Sequence, residues 1–343
     1  MNRVILRCLI VLLGFNLITL IFNLSKTTSS KDNLISYLLF ILVTLALGFL
    51  LTKVRKANKI NSNIQTASAL TWKKLKRNKN AVFGLIIIII LVYISILAPF
   101  IMPHDPLEMN WGKTTQKPSL EHWFGTDEFG RDIFSRAIYG VRIALGIGLL
   151  AVVLNTLLGT FLGLIAGYYG GRVDNLIMRA IEMWNSIPFI LMAIALIAAL
   201  GSGLLNLILV VSITGIMQFA RVIRSSVLGI KKADYVLAAK VMGIPDRQII
   251  IRHILPNCIA PIIVLATLRI GEMILTIAGL SFLGLGIQPP MPALGSMLSS
   301  GQQYISENLM MSIVPGTMIL LIVFAFNLLG DGLRDALDSK LSN

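Results

Sequence analysis

Charged residues are scarce in this chain. Asp, Glu, Lys and Arg make up 13% of its 343 residues, whereas a soluble domain carries about 25%. Hydrophobic residues account for 56%, and many of them lie in long runs without a charge. Such runs are long enough to cross a bilayer core about 30 Å thick. The composition therefore excludes an ordinary soluble protein and predicts an all-α integral membrane protein.

Acidic residues are scarcer than basic ones, since 16 Asp and Glu stand against 30 Lys and Arg, a formal net charge of +14. An excess of this kind can indicate nucleic-acid binding. Here, however, the basic residues cluster at the ends of apolar runs, where they orient a protein in the membrane. We therefore expect the lipid bilayer, and no nucleic acid, as the partner of the basic segments.

Cysteine and histidine are also rare, with two and three residues. Cys8 and Cys258 are too few for a disulfide framework or a zinc site. The chain has no Ser/His/Asp spacing typical of a hydrolase and no complete glycine-rich phosphate loop. We therefore expect no catalytic residue, no metal site and no cofactor bound by this chain.

The polar stretch at residues 122–132, HWFGTDEFGRD, allows two interpretations. It could be a metal site, or a capped turn followed by a short helix. The capped turn is the simpler interpretation, with Thr126 or Asp127 as the N-cap and with Gly125 and Gly130 in unusual backbone conformations. The metal site would draw its ligands from four side chains: His122, Asp127, Glu128 and Asp132.

The order of apolar and polar segments predicts five regions. Residues 1–52 form a transmembrane hairpin, and residues 53–80, with nine Lys/Arg and no acid, form a basic cytoplasmic linker. Residues 81–140 hold the first core span and an extracellular loop. Residues 141–330 form the rest of the core, and residues 331–343 form a cytoplasmic tail. This gives about six core spans besides the hairpin, with both termini in the cytoplasm.

Glycine positions predict how the core spans pack and turn. Gly159, Gly163 and Gly167 recur every four residues, so they line one face of a helix and allow a second helix to approach closely. The uncharged run of residues 183–220 is too long for one span. Gly201-Ser202-Gly203 is expected to divide it into two helices.

One ionic pair is expected inside the membrane. Arg269 and Glu272 lie three residues apart in an apolar run, so they share a helix face and can pair. Ionisable residues at bilayer depth are functional candidates. A structural contact between helices is an equally good interpretation, and the sequence leaves both open.

The segment KKADYVLAAKVMGIPDRQIIIRHILP, residues 231–256, carries five Lys/Arg and two Asp between apolar runs. Charges at bilayer depth are costly, and the positive balance predicts a cytoplasmic loop. Two helices are expected: the first ends at Gly243, Asp246 caps the second, and Leu255-Pro256 closes it. Helical spacing places four residues on one face that could contact a partner: Val236, Ala239, Met242 and Gly243.

This segment resembles the EAA loop of bacterial ABC-importer permeases, in which Glu-Ala-Ala is followed by Gly four residues later and by Leu-Pro twelve residues beyond the Gly. Leu237 stands where that family usually has Glu. Residues 124–132, FGTDEFGRD, and residues 281–290, SFLGLGIQPP, are similar to segments of the dipeptide/oligopeptide/nickel branch of these permeases. The remaining positions of the EAA pattern are occupied here by Ala238, Ala239, Gly243, Leu255 and Pro256.

The resemblance extends over roughly residues 78–341 and implies a type I ABC-importer permease core in a bacterial cell membrane. It further implies a homologous second permease subunit, two ABC ATPase subunits that bind ATP and Mg²⁺, and an extracellular substrate-binding (lipo)protein. The substrates it implies are di- or oligopeptides. The implied ATPase-coupling residues are Tyr235, Leu237, Ala238, Ala239, Met242, Gly243, Asp246, Leu255 and Pro256.

Two other functions stay open at this point. A nickel or metal-opine importer permease belongs to the same branch, and the binding protein would largely decide between these substrates and peptides. An ATP-independent secondary transporter would need ionisable residues or broken helices along its pathway. Only Arg269 and Glu272 offer anything of this kind.

Overall fold

The computed structural model describes residues 67–337. The predicted hairpin of residues 1–52, residues 53–66 of the linker and residues 338–343 of the tail lie outside the described residues. Residues 68–98 and 104–337 form one compact unit. The helices are α1 (Ala67–Arg77), α2 (Lys79–Ile96), α3 (Ala98–Ile101), α4 (Ile133–Tyr169), α5 (Gly171–Asn185), α6 (Phe189–Leu200), α7 (Leu204–Ile230), α8 (Asp234–Val241), α9 (Asp246–Ile249), α10 (Leu255–Phe282), α11 (Leu294–Gln303) and α12 (Met310–Leu337).

Within residues 67–337, five helices are long and apolar enough to cross a membrane: α2, α4, α7, the continuous helix Asp246–Phe282 and α12. A sixth span results if α5 and α6, which are bent by 89° at the break between them, are counted together. The prediction of an all-α membrane core with about six spans is therefore confirmed.

The contact between α4 and α7 depends on the glycine stripe of α4. A Cβ atom added at Gly159 would lie 2.4 Å from the Phe219 Cβ atom, and one at Gly163 would lie 2.7 Å from the Ala220 carbonyl oxygen. Such distances are too short for a real Cβ atom, so the main chain of α7 lies directly against α4. The predicted close packing at Gly159, Gly163 and Gly167 is confirmed. The facing residues of α7 are fully buried: Phe219, Ala220, Ile223 and Val227.

Glycines also mark the contacts around this central pair. α10 contacts α4, α7 and α12, and α2 packs against α12. A Cβ atom at Gly84 of α2 would lie 2.7 Å from the Ala325 oxygen of α12, and one at Gly330 of α12 would lie 2.4 Å from the Leu268 side chain of α10. The spans are therefore held by close helix-to-helix packing as well as by their apolar side chains.

α4 begins earlier than the sequence predicted. The polar loop was expected to reach Gly140, but the helix starts at Ile133, after the N-cap Asp132. Arg136 lies in the first turn and is buried, and its Nη1 atom donates a hydrogen bond to the Pro106 oxygen at 2.8 Å. Because the Pro106 carbonyl group satisfies the buried guanidinium group, a charged residue can lie in the first turn of this helix. At the other end of the core, α12 continues to Leu337, inside the predicted tail.

The uncharged run of residues 183–220 divides as predicted, with Gly201 at the turn and a φ of +86°. α6, however, has 12 residues and a length of about 18 Å. It is too short to cross a bilayer core of about 30 Å alone. Pro188, its N-cap residue, separates it from α5.

Gly163→Ala should destabilise the protein. The added Cβ atom would press on the Ala220 carbonyl oxygen, which can move only together with α7. Overpacking of this kind costs about 1–3 kcal/mol, and the Tm measured in detergent should fall by about 2–8 °C.

Gly146→Ala is the matched control, because it lies in the same helix and a Cβ atom there meets no described atom within 4 Å. It should be neutral or stabilising by up to about 1 kcal/mol, the difference in helix propensity. Equal Tm values for the two variants would contradict the packing described here.

Candidate functional site

The segment of residues 231–256 forms two helices joined by a tight turn. α8 ends at Val241, and Gly243 has a φ of +76°. Pro245 is the N-cap of α9, which leads through a π-helical turn, Ile250–Ile254, into α10. Two helices separated at Gly243 were predicted, and the structure has them. The predicted end of the second helix at Leu255-Pro256 is wrong, because that helix continues as a membrane span.

The π-helical turn accounts for the passage through Pro256. Proline has no N–H, and its ring crowds the carbonyl group four residues earlier in an α-helix. The N–H of Leu255 donates to the oxygen of Ile250, five residues back. This wider turn is a known way for a helix to absorb a local irregularity. Leu255 is half-buried and Pro256 is exposed.

Asp246 connects the segment to α4. It was expected to be an N-cap, but it is the first residue of α9, after the N-cap Pro245. Its Oδ1 atom accepts a hydrogen bond from the Tyr168 hydroxyl at 2.5 Å. Tyr168 is buried in the last turn of α4. Asp246 thus attaches the start of α9 to the end of α4.

Two further contacts hold the same end of the bundle. The Lys231 ammonium donates to the carbonyl oxygen of Tyr168 and lies 5.4 Å from the centre of its ring. Arg224 of α7 donates to both carboxylate oxygens of Asp174 on α5, each at 2.5 Å. We call these contacts, together with Tyr168–Asp246, the polar clamp. No local sequence pattern points to Tyr168, Asp174 or Arg224 as members of this clamp, because their partners are 50 to 78 positions away in the chain.

α8 has two sides with different surroundings. Val236 and Ala239 are 3% and 1% exposed and pack into the chain's own core. The prediction that they share a partner-contacting face with Met242 and Gly243 is therefore wrong for these two. An exposed group of mainly apolar side chains covers the other side of α8, which we call the outward face: Tyr235, Leu237, Ala238, Val241 and Met242.

The charged pair inside α10 is formed. The Arg269 Nη1 and Glu272 Oε1 atoms lie 2.6 Å apart. The Arg269 side chain is buried, whereas the Glu272 side chain is 57% exposed on this chain. A carboxylate facing lipid would be costly, so this surface fits water or a partner chain better than lipid. Whether the pair has a transport role stays a prediction.

The stretch at residues 122–132 folds as a tight loop before α4. Gly125 and Gly130 have φ values of +79° and +72°, in agreement with the unusual conformations expected of them. Asp127 caps this turn, as one of the two predicted alternatives, because its Oδ1 atom accepts hydrogen bonds from the Phe129 and Arg131 N–H groups, each at 2.9 Å. The short helix predicted after it is wrong, because a turn follows instead. Asp132 is the N-cap of α4 and accepts a hydrogen bond from the Ser135 N–H. The loop therefore positions the first turn of α4.

Two acids of this loop that were considered as metal ligands, Asp127 and Glu128, form ion pairs with arginines. Asp127 accepts a hydrogen bond from the Arg131 Nε atom at 2.6 Å and lies 3.3 Å from the Arg136 Nε atom. Glu128 lies 3.5 Å from the Arg131 Nη2 atom. Both carboxylates are thus neutralised within the loop, and neither is available as a metal ligand.

Comparisons with known proteins agree on one family. Residues 159–343 match the model of the binding-protein-dependent transport system inner membrane component, and residues 66–118 match the N-terminal TM domain of oligopeptide transport permease C. The chain is 47% identical over 272 residues to the dipeptide transport system permease protein DppC of Alkalihalophilus pseudofirmus, covering 79% of this chain and 90% of that protein.

A second relative is the glutathione transport system permease protein GsiD of Pectobacterium atrosepticum, 42% identical over 284 residues, which cover 82% of this chain and 94% of that protein. A solved structure of the MetNI methionine ABC transporter in inward-facing conformations aligns with a TM-score of 0.49 and 20% identity, covering 60% of this chain and 97% of that chain. The family assignment does not depend on this weaker similarity.

Tyr168→Phe should loosen the segment of residues 231–256. The change removes one hydrogen bond to a carboxylate and keeps the buried ring. Loss of such a bond costs about 1–2 kcal/mol. Amide hydrogen exchange in α8 and α9 should therefore become about 5- to 30-fold faster, as measured by mass spectrometry of the intact protein in detergent.

Tyr169→Phe is the matched control, since Tyr169 is the next residue and its side chain is 52% exposed. It should leave exchange in α8 and α9 unchanged. If both variants exchange like the wild type, the Tyr168–Asp246 contact does not hold the segment.

Proposed function

Because the chain belongs to the family of binding-protein-dependent transport system inner membrane components, we propose that it forms half of the pore through which an ABC importer brings di- or oligopeptides into a bacterial cell. Family membership makes it a permease subunit of an ABC importer and a multi-pass protein of the cell membrane. It is accordingly a transport component and not an enzyme.

Peptides are the proposed substrates. The two relatives described above are named for the transport of dipeptides and of glutathione, which is itself a peptide. These names favour a peptide over the nickel ions or metal-opines also carried within this branch. Dependence on a binding protein also argues against an ATP-independent secondary transporter.

The outward face of α8 supports the proposal that an ATPase subunit docks on this segment and so couples ATP hydrolysis to transport. Its apolar side chains are exposed, yet lipid cannot cover them, because Lys231, Lys232, Lys240, Arg247 and Arg252 belong to the same segment and charges in the bilayer core are costly. Exposed apolar groups in a polar setting are typical of protein interfaces. In the proposed assembly an ATPase subunit covers this face.

The proposed assembly has four kinds of component. A homologous second permease completes the pore, and the exposed side of Glu272 fits a surface at that junction or along the pathway. Two ABC ATPase subunits bind ATP and Mg²⁺, and this chain binds neither. An extracellular substrate-binding (lipo)protein delivers the peptide. The Lys/Arg excess of the basic segments supports a cytoplasmic position of both termini in this proposal.

Coupling then follows from rigid connections. ATP binding draws the two ATPase subunits together, and each carries the outward face of its permease with it. The polar clamp transmits this displacement to α4 and α7. α9 transmits it to α10, because both belong to the continuous helix Asp246–Phe282. The spans move as rigid bodies between inward and outward access.

Gly243→Arg should uncouple transport. Gly243 is exposed, and a Cβ atom there meets no described atom within 4 Å, so an arginine would project toward the docked ATPase while the chain still inserts. We expect uptake of a labelled dipeptide by cells to fall at least about tenfold, with the amount of protein in the membrane unchanged.

Gly243→Asn is the control that separates backbone strain from lost docking. Asn tolerates a positive φ better than most residues and adds a short side chain, so it should keep most of the uptake. Normal uptake by inserted Gly243→Arg would refute the docking assignment.

Gentle purification from the native cell tests the assembly itself. A second permease and two ATPases should accompany the chain, and purified binding protein should bind dipeptides rather than nickel chelates. If the chain purifies alone and moves solute in liposomes without ATP, the assembly is wrong. Recovery of the assembly with a nickel-binding protein would contradict only the proposal that the substrates are peptides.

A further inference from the structure

Three side chains capable of binding a metal ion meet at the N-terminal end of α4: His104, His122 and Asp132. One ligand atom of each lies within 4.8 Å of the others. The His122 Nδ1 atom is 2.9 Å from the Asp132 Oδ1 atom, and the His104 Nδ1 atom is 3.9 Å from the same oxygen. The residues are up to 28 positions apart, so only the folded loop brings them together.

Asp132 is oriented by its role as a helix cap. Its Oδ2 atom accepts hydrogen bonds from the Ser135 N–H at 2.8 Å and from the Ser135 hydroxyl at 2.7 Å. This leaves the Oδ1 atom directed at the two histidines. The Asp132 side chain is 1% exposed, so the carboxylate is held in place before any ligand arrives.

The Nδ1 atom of His104 is buried and makes no hydrogen bond to any described residue. A buried polar atom without a hydrogen-bond partner is uncommon. The His104 ring lies 4.5 Å from the ring of His122. Because the His104 side chain is 31% exposed, solvent and small ions can reach the cluster.

Two neighbouring acids are paired with basic side chains and do not compete with Asp132 for the histidines. Asp127 is bound by Arg131 at 2.6 Å, and Glu121 is bound by Lys113 at 2.5 Å. Asp132 is thus the carboxylate that faces the imidazoles. This set differs from the one considered in the sequence, which contained Asp127 and Glu128 and omitted His104.

We propose that His104, His122 and Asp132 bind one Zn²⁺ ion. Two imidazoles and a carboxylate are a typical donor set for zinc, with bonds of about 2.0–2.2 Å. Two such ligands are about 3.0 Å apart at a right angle and about 3.4 Å apart at a tetrahedral angle. The observed 2.9 Å and 3.9 Å lie on either side of that range, so the partly exposed His104 side chain has to move toward Asp132 when the ion binds.

Zinc at this point ties the loop to the helix. His104 lies at the beginning of the loop, and its main-chain N–H donates a hydrogen bond to the Ser135 hydroxyl at 3.3 Å. Asp132 is the N-cap of α4. Three protein ligands leave a fourth position for water on the exposed side of His104. The ion stabilises the loop at the end of the bundle that the proposed orientation places outside the cell.

The test uses the full chain with an affinity tag free of histidine. Protein in detergent is equilibrated with Zn²⁺, gel-filtered and analysed for metal, and Co²⁺ replaces Zn²⁺ for absorption spectra. Wild type should retain one Zn²⁺ per chain. Both His104→Ala and Asp132→Asn should bind at least tenfold more weakly, and Zn²⁺ should raise the Tm of the wild type but not of these two variants.

The variants are chosen to fold. His104 Nδ1 makes no hydrogen bond to a described residue, and Asn is as good an N-cap as Asp, so Asp132→Asn keeps the cap. His253→Ala removes the remaining histidine and should bind like the wild type. Equal binding by wild type and His104→Ala, or no stoichiometric binding by wild type, overturns the proposal.

Discussion

The close approach of α4 and α7 is the contact on which the rest of the structure depends. The glycine stripe brings the main chain of α7 against α4, so neither helix can slide or rotate without a clash. α4 has 37 residues and a length of about 55 Å, against about 30 Å for the bilayer core. Its two ends therefore project beyond the core. One end carries the polar clamp, and the other carries the Asp132 cap with its two histidines.

Three spans meet at the segment of residues 231–256. It follows α7 in the chain, is bonded to the end of α4 through Tyr168, and continues into α10 through the π-helical turn. A segment with one such connection could flex independently of the membrane core. With three, a force applied to the outward face of α8 reaches α4, α7 and α10 together. This geometry suits rigid-body motion between two states.

The sequence predicted the features that depend on neighbouring residues. Apolar runs located the spans, and the repeat of Gly159, Gly163 and Gly167 located the closest helix contact. Features that depend on distant residues escaped it. Tyr168 and Asp246 are 78 positions apart, and no local pattern relates them. The predicted helix end at Pro256 failed because the rule that proline stops a helix does not allow for a wider turn before it.

The environment of α8 also explains which positions of the EAA-like pattern can vary. Ala239 is 1% exposed and packs on the core, so a larger side chain there would push α8 away from α9 and α10. Leu237 is 49% exposed on the outward face, so the fold accepts Leu or Glu equally well at this position. Leu237 in place of the usual Glu changes the character of the proposed ATPase contact from ionic to apolar. The position of α8 is unaffected, because the polar clamp and the buried side of α8 determine it.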